Sequence, residues 1–225
     1  MDALARKAFA GLVGMFLVVA VLLFGIAWTL DWWQAWLFLA VYFACSIALT
    51  LFMYAKDRAL LERRMRGGPL AEKEPMQRLI MSIASVGFAG IIIVPALDRR
   101  FGWSDMPAAV SIAGDAAMAL GWLAIYFVFR ENSFTSATIE MAADQKVVST
   151  GPYARVRHPM YAGALPMLLG MPIALGSWWG VVPFFVILPA LIWRIFDEEA
   201  FLTKNLAGYD SYKQKVRYRL IPHFW

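Results

Sequence analysis

The chain has 225 residues, 61% of them hydrophobic and only 16% charged, where an ordinary soluble domain is about 45–50% apolar and about 25% charged. Mean hydropathy is +0.59, and the apolar residues are gathered into long runs, so lipid must be the solvent for much of the surface and an ordinary soluble enzyme is excluded. The net charge of +5 does not point to nucleic acid, because no arginine-rich tract with interleaved aromatics occurs; basic residues flanking membrane spans face anionic lipid instead. The single cysteine, Cys45, lies inside an apolar run, so there is no intramolecular disulfide, no zinc or iron–sulfur ligand set, and no metal is expected.

Arg6 and Lys7 precede an apolar run from about Phe9 to Leu30. That run is too long for a signal-peptide core of roughly 7–15 residues. It is followed by tryptophans rather than by a small-residue cleavage pattern, so it reads as a retained first span. Asp31 and its neighbours make a tight turn with an aromatic anchor, and a second span runs from about Trp33 to Met53. A basic loop, Tyr54 to Arg78, holds the Gly67-Gly68-Pro69 break. Spans three and four run from about Leu79 to Leu97 and from about Pro107 to Phe129. Asp115 inside span four is a functional candidate by its depth; the plainer expectation is that it sits near the outer end and reaches water.

Arg130 to Pro159 is polar and long enough to hold structure of its own. Two further apolar runs, Met160 to Leu175 and Trp178 to Phe196, are separated by Gly176-Ser177 and read as a helical hairpin. The first is short and carries Pro166 and Pro172, which leaves five or six crossings. The tail from Asp197 to Trp225 is charged, aromatic and helical in part. With six spans, one side holds every Lys and Arg except Arg99 and Arg100. That asymmetry predicts cytoplasmic N- and C-termini in a multi-pass cell (inner) membrane protein. The expected fold is an all-α, polytopic membrane helical bundle of about 5–6 transmembrane helices. It divides into a four-helix transmembrane region, 1–130, and a catalytic region, 131–225, made of polar loop, hairpin and cytoplasmic tail.

Three polar constellations fall in the last third. Gly151-Pro152-Tyr153 breaks the chain, and Arg155, Arg157 and His158 follow before Pro159, Met160 and Tyr161. Pro159 suits the first turn of a helix, with His158 at the cap. Such a basic helix start suits an anionic group, or it simply touches lipid headgroups. The second constellation is Arg194, Asp197, Glu198 and Glu199. Arg194 and Glu198 are four apart and are expected to pair on one helix face. Three acids at a helix end oppose both the helix dipole and the anionic leaflet, which suggests a role in binding a cation or hydroxyls; otherwise they begin a solvated tail helix. The third is the aromatic tail, Tyr209, Tyr212, Arg217, Tyr218, Arg219, Pro222, His223, Phe224 and Trp225. A hairpin brings its two cytoplasmic ends together, so the three constellations are expected to meet.

In these residues the chain resembles the isoprenylcysteine carboxyl methyltransferase family and the related phospholipid N-methyltransferases. The resemblance rests on Gly151-Pro152-Tyr153, on Arg157-His158-Pro159-Met160-Tyr161, and on Arg194, Glu198-Glu199, Leu202, Tyr209 and Tyr212 in matching order. It covers about the last hundred residues. It implies methyl transfer from S-adenosylmethionine to a lipophilic acceptor, a carboxylate or a lipid amine, with no obligate protein partner. On the matching positions Tyr153, His158, Pro159 and Tyr161 line the cofactor site. Glu198 or Glu199 holds the ribose hydroxyls or the ammonium, both at a solvent-facing helix end, and Tyr209 and Tyr212 close over the adenine. Arg157 or Arg194 orients a carboxylate, and His158 is the candidate base for an amine. A membrane reductase using a nicotinamide cofactor is the alternative, against which the Glu198-Glu199 pair counts; a non-catalytic membrane protein is a third reading.

Overall fold

The computed structural model describes residues 2–72, 74–139, 141 and 145–225. Every regular element among them is helical: α1 Ala3–Ala27, α2 Trp33–Lys56, α3 Arg58–Met65, α4 Pro75–Phe101, α5 Ala108–Glu131, α6 Pro159–Ala174, α7 Phe184–Asn205 and α8 Tyr209–Lys215. Five helices, α1, α2, α4, α5 and the one containing α7, are long and apolar enough to cross a membrane. Their starts follow local chemistry. Asp2 caps α1 by accepting from the Ala5 amide at 2.9 Å, and Pro75 and Pro159 occupy first turns, where a missing N–H costs nothing.

α6 has only 16 residues, about 24 Å of helix against an apolar layer of about 30 Å. It is sheltered rather than lipid-bathed, and it packs along α5 backbone to backbone. A Cβ on Gly121 would lie 2.6 Å from the Gly163 carbonyl oxygen, and one on Gly170 would lie 2.6 Å from that of Gly114. Small residues at two such levels let the helices touch where larger ones would hold them apart. The central core joins Leu23 of α1, Ala35 and Phe38 of α2, Ile91 of α4, Met118 of α5, Met171 of α6 and Ile187 of α7. Packing therefore runs without a break across residue 130.

Several elements differ from expectation. The basic loop after α2 contains α3, whose Leu60 and Leu61 are buried against α5; at eight residues its apolar face is too brief for periodicity to reveal. The described residues of the polar stretch after α5 are mostly irregular, with a 3₁₀ turn at Gly151–Ala154. α7 begins six residues later than its apolar run, after a 3₁₀ turn at Trp179–Val181. Asp98, 2% exposed, accepts from the Ser104 amide and hydroxyl and from the Ser177 hydroxyl, which fixes the α6–α7 connection to the end of α4. Asp115 does not reach water: it is 6% exposed, and neither carboxylate oxygen has a partner among the described residues. It lies one turn beyond Ser111, on the face of α5 that the interior covers.

Candidate active site

The α6–α7 hairpin brings the start of α6 and the end of α7 to one end of the bundle, where the tail folds over both. His158 is the N-cap residue of α6. Its amide and that of Arg157 donate to the Arg219 and Tyr218 carbonyls at 2.9 Å. A short extended pairing thus lays the tail on the start of α6. The three constellations of the sequence meet here.

Glu199 anchors the junction. Its Oε1 accepts from Arg157 Nε at 2.7 Å and lies 3.2 Å from His158 Nε2; its Oε2 accepts from Arg219 Nε at 3.0 Å. Arg157 Nη1 also donates to the Val216 and Arg217 carbonyls, both at 3.0 Å. At 7% exposure the carboxylate is surrounded by compensating donors, as a buried charge requires. The expectation that both glutamates face solvent thus fails for Glu199, because the tail covers it. Glu198 is the accessible one, with its side chain 28% exposed.

Arg194 forms a second cluster. Its Nη2 is 2.7 Å from Glu72 Oε1, its Nη1 donates to Gln77 Oε1 at 2.8 Å, and its Nη2 also donates to the Ala137 carbonyl at 3.1 Å. The expected Arg194–Glu198 pair does not form. The Tyr161 hydroxyl stands between them, accepting from Arg194 Nε at 3.2 Å and donating to Glu198 Oε2 at 2.8 Å. Glu72 and Gln77, which sequence reasoning missed, come from the loop before α4 and from its first turn; Gln77 also donates to Asp197 at 2.7 Å. Nothing local in the sequence links position 72 to position 194. Nor does composition single Glu72 out, since the same loop also holds Asp57, Glu62 and Glu74.

These groups border an open cleft with a cavity volume of about 110 Å³. Of the expected residues, Tyr153, Arg157, His158, Tyr161, Arg194, Glu198, Tyr209 and Tyr212 line it. Pro159 and Glu199 do not: Pro159 is spent on starting α6, and Glu199 lies behind Arg157 and His158. Residues 132–139 and 145–148 supply much of the remaining wall, including Phe134, Thr138 and Val147. Sequence reasoning placed this polar stretch in the catalytic region but named none of its residues for the site. α3 holds it in place, with Arg64 donating to the Ser136 carbonyl at 2.8 Å and Arg63 to that of Ser133.

Two polar groups in the cleft remain available. Glu198 Oε1 makes no hydrogen bond among the described residues. The Tyr209 hydroxyl is fully buried and has no partner among them either. Burial pushes the Tyr153, Tyr209 and Tyr212 phenols above their ordinary range, so all three stay neutral and present apolar faces with a polar tip. His158, its Nε2 held by Glu199, has Nδ1 4.0 Å from Glu198 Oε2. The arrangement offers a carboxylate, a phenol, aromatic faces and an oriented imidazole around one cavity.

Residues 109–208 match the phospholipid methyltransferase family model. No curated protein matches the chain in sequence. Among solved structures, the fold is similar to that of the eukaryotic intramembrane Ras methyltransferase, isoprenylcysteine carboxyl methyltransferase. The two are 20% identical with a TM-score of 0.50, and the match covers 96% of this chain and 76% of the other.

Proposed function

We infer, for an integral membrane methyltransferase whose residues 109–208 fall in the phospholipid methyltransferase family, that the methyl donor is S-adenosylmethionine, bound in the cleft between the α6–α7 hairpin and the tail. The observation that carries this reading is the pair of unused polar groups there, Glu198 Oε1 and the buried Tyr209 hydroxyl. A buried hydroxyl without a partner costs roughly 1–3 kcal/mol, and a ligand polar atom would offset it. The donor supplies an activated methyl on a sulfonium. Glu198 attracts its cationic parts, Tyr153, Tyr209 and Tyr212 give the nucleoside apolar faces, and the cleft keeps water from the reacting atoms.

The acceptor is lipophilic, and an amine fits better than a carboxylate. Arg194 spends all three guanidinium nitrogens on the protein, and Arg157 spends two. Neither offers the free fork that binds a carboxylate bidentately. Both act through what they hold: Arg157 through Glu199, Arg194 through Tyr161. His158 donates from Nε2 to Glu199, which leaves Nδ1 as the lone pair for an amine proton. The site lies on the cytoplasmic side with both termini, and the acceptor arrives from the bilayer.

Calorimetric titration of the detergent-purified protein with S-adenosylhomocysteine, with NADPH in parallel, tests the donor. Micromolar affinity for the nucleoside is expected. Binding of NADPH alone, or of neither, would overturn the assignment. With binding established, labelled methyl transfer to membrane extracts identifies the acceptor, and a base-labile methyl ester as the product would refute the amine.

A further inference from the structure

A second cleft, sharing no lining residue with the first, lies on the tail. It measures about 880 Å³ with its open mouth, and Arg155, Lys215, Arg217, Tyr218, Pro222 and His223 border it. Arg155, Lys215 and Arg217 are exposed. None of the three makes a side-chain hydrogen bond or ion pair among the described residues, and no acid lines the cleft. Four other cations at this end are matched by acids: Arg157 and Arg219 by Glu199, Arg194 by Glu72, and Lys213 by Asp210. Three unmatched cations around one concavity repel one another, and that repulsion falls when an anion sits between them.

The depth of the cleft narrows the anion. The chain end folds back so that the Arg219, Leu220 and Ile221 amides donate to the Trp225 carbonyl. The Trp225 ring then packs on Phe196, 6.0 Å between centroids. Phe196 belongs to the last turns of the apolar α7 and is itself 47% exposed on the bundle flank. The end of the tail is thereby fixed where that helix leaves the apolar layer. Ile221 and Phe224 project there, 48% and 83% exposed. Exposed apolar side chains beside a basic cleft form an interfacial pattern, with carbon in the acyl boundary and cations among the phosphates.

We propose that this cleft binds the headgroup of an anionic phospholipid, with Arg155, Lys215 and Arg217 around its phosphate and Ile221 and Phe224 against its acyl chains. A zwitterionic lipid brings its own cation into a site that already holds three, so it is the weaker ligand. The site is separate from the methyl-transfer cleft and stands whatever cofactor that cleft takes.

The test titrates the full-length protein in neutral detergent with dihexanoyl phosphatidylglycerol, dihexanoyl phosphatidylcholine and inorganic phosphate, alongside the R155Q/K215Q/R217Q variant. At roughly 1 kcal/mol per basic residue, the variant is expected to bind the phosphatidylglycerol at least tenfold more weakly, with phosphatidylcholine unchanged. Equal affinity of wild type and variant for the anionic lipid overturns the site. Inorganic phosphate binding wild type as tightly as the lipid overturns the lipid assignment in favour of a free anion. An unchanged melting temperature shows that the variant is folded; if it melts early, R217Q and K215Q are read singly by the same criterion.

Discussion

Adjacent glutamates at the end of α7 have opposite surroundings, and a single substitution at each separates their roles. Glu199 compensates the cations Arg157 and Arg219, and also meets His158 Nε2, in a buried junction. Glu199→Gln leaves those cations short of a counter-charge and is expected to cost about 3–5 kcal/mol, seen as a lower melting temperature without any ligand. Glu198 is partly exposed and held only by Tyr161. Glu198→Gln is expected to leave melting unchanged and to weaken S-adenosylhomocysteine by roughly ten- to hundredfold, the range of a lost charge-assisted bond. If the two variants behave alike in both assays, the division of labour is wrong. Tyr209→Phe removes a buried hydroxyl that has no partner among the described residues. The unliganded protein should be no less stable, while the nucleoside binds about two- to tenfold more weakly. Unchanged affinity would mean the hydroxyl touches no part of the ligand.

At the level of elements, the site depends on how closely α6 can approach α5. α6 carries His158 at its cap and Tyr161 in its first turn, and the glycine contacts set its height and tilt. A methyl on Gly121 would meet the Gly163 carbonyl oxygen at 2.6 Å and the Met167 amide nitrogen at 2.7 Å. Both are backbone atoms that cannot swing aside. Gly121→Ala is therefore expected to cost about 1–3 kcal/mol and to weaken nucleoside binding, whereas Gly11→Ala, with nothing within 4 Å of the added carbon, should change neither. Melting curves and titrations on the two variants decide it. This contact also marks where sequence reading stops. The long spans were legible because twenty apolar residues in a row have one physical explanation, and the start of α6 because Pro159 after a capping position does too. The meeting of the His158, Glu199 and tail residues followed from the hairpin alone. What was not legible depends on partners distant in sequence: Glu72 against Arg194, Tyr161 between Arg194 and Glu198, and α3 bracing the 132–139 wall. Burial reversed two expectations, for Glu199 and for Asp115, because a folded-back tail and a facing helix leave no trace in local composition.

For the whole molecule, orientation is expected to follow from how many cations each end carries. At the end away from the site the basic residues are Arg99 and Arg100. Arg99 donates to the Asp31 carbonyl at 2.7 Å, and Arg100 to that of Ile26 at 3.4 Å while lying over the Trp28 and Phe101 rings. Both keep their positive charge while donating to neutral carbonyls at the end of α1 and in the turn after it, but two cations are few beside those at the site end. The site end carries the remaining Lys and Arg, many of them exposed. The insertion machinery counts basic residues in short loops, so the imbalance should retain the site end, with both termini, in the cytoplasm. A green fluorescent protein fused after Trp225 should therefore fluoresce, and an alkaline phosphatase inserted between Gly102 and Asp105 should be active. The reverse pattern would put the proposed cofactor cleft where the cell keeps no S-adenosylmethionine, and the proposed chemistry would fail with it. Adding basic residues to the 102–106 loop supplies the complementary test. Because that end carries just Arg99 and Arg100, a few added lysines there should begin to scramble the orientation, with fluorescence falling as phosphatase activity is lost.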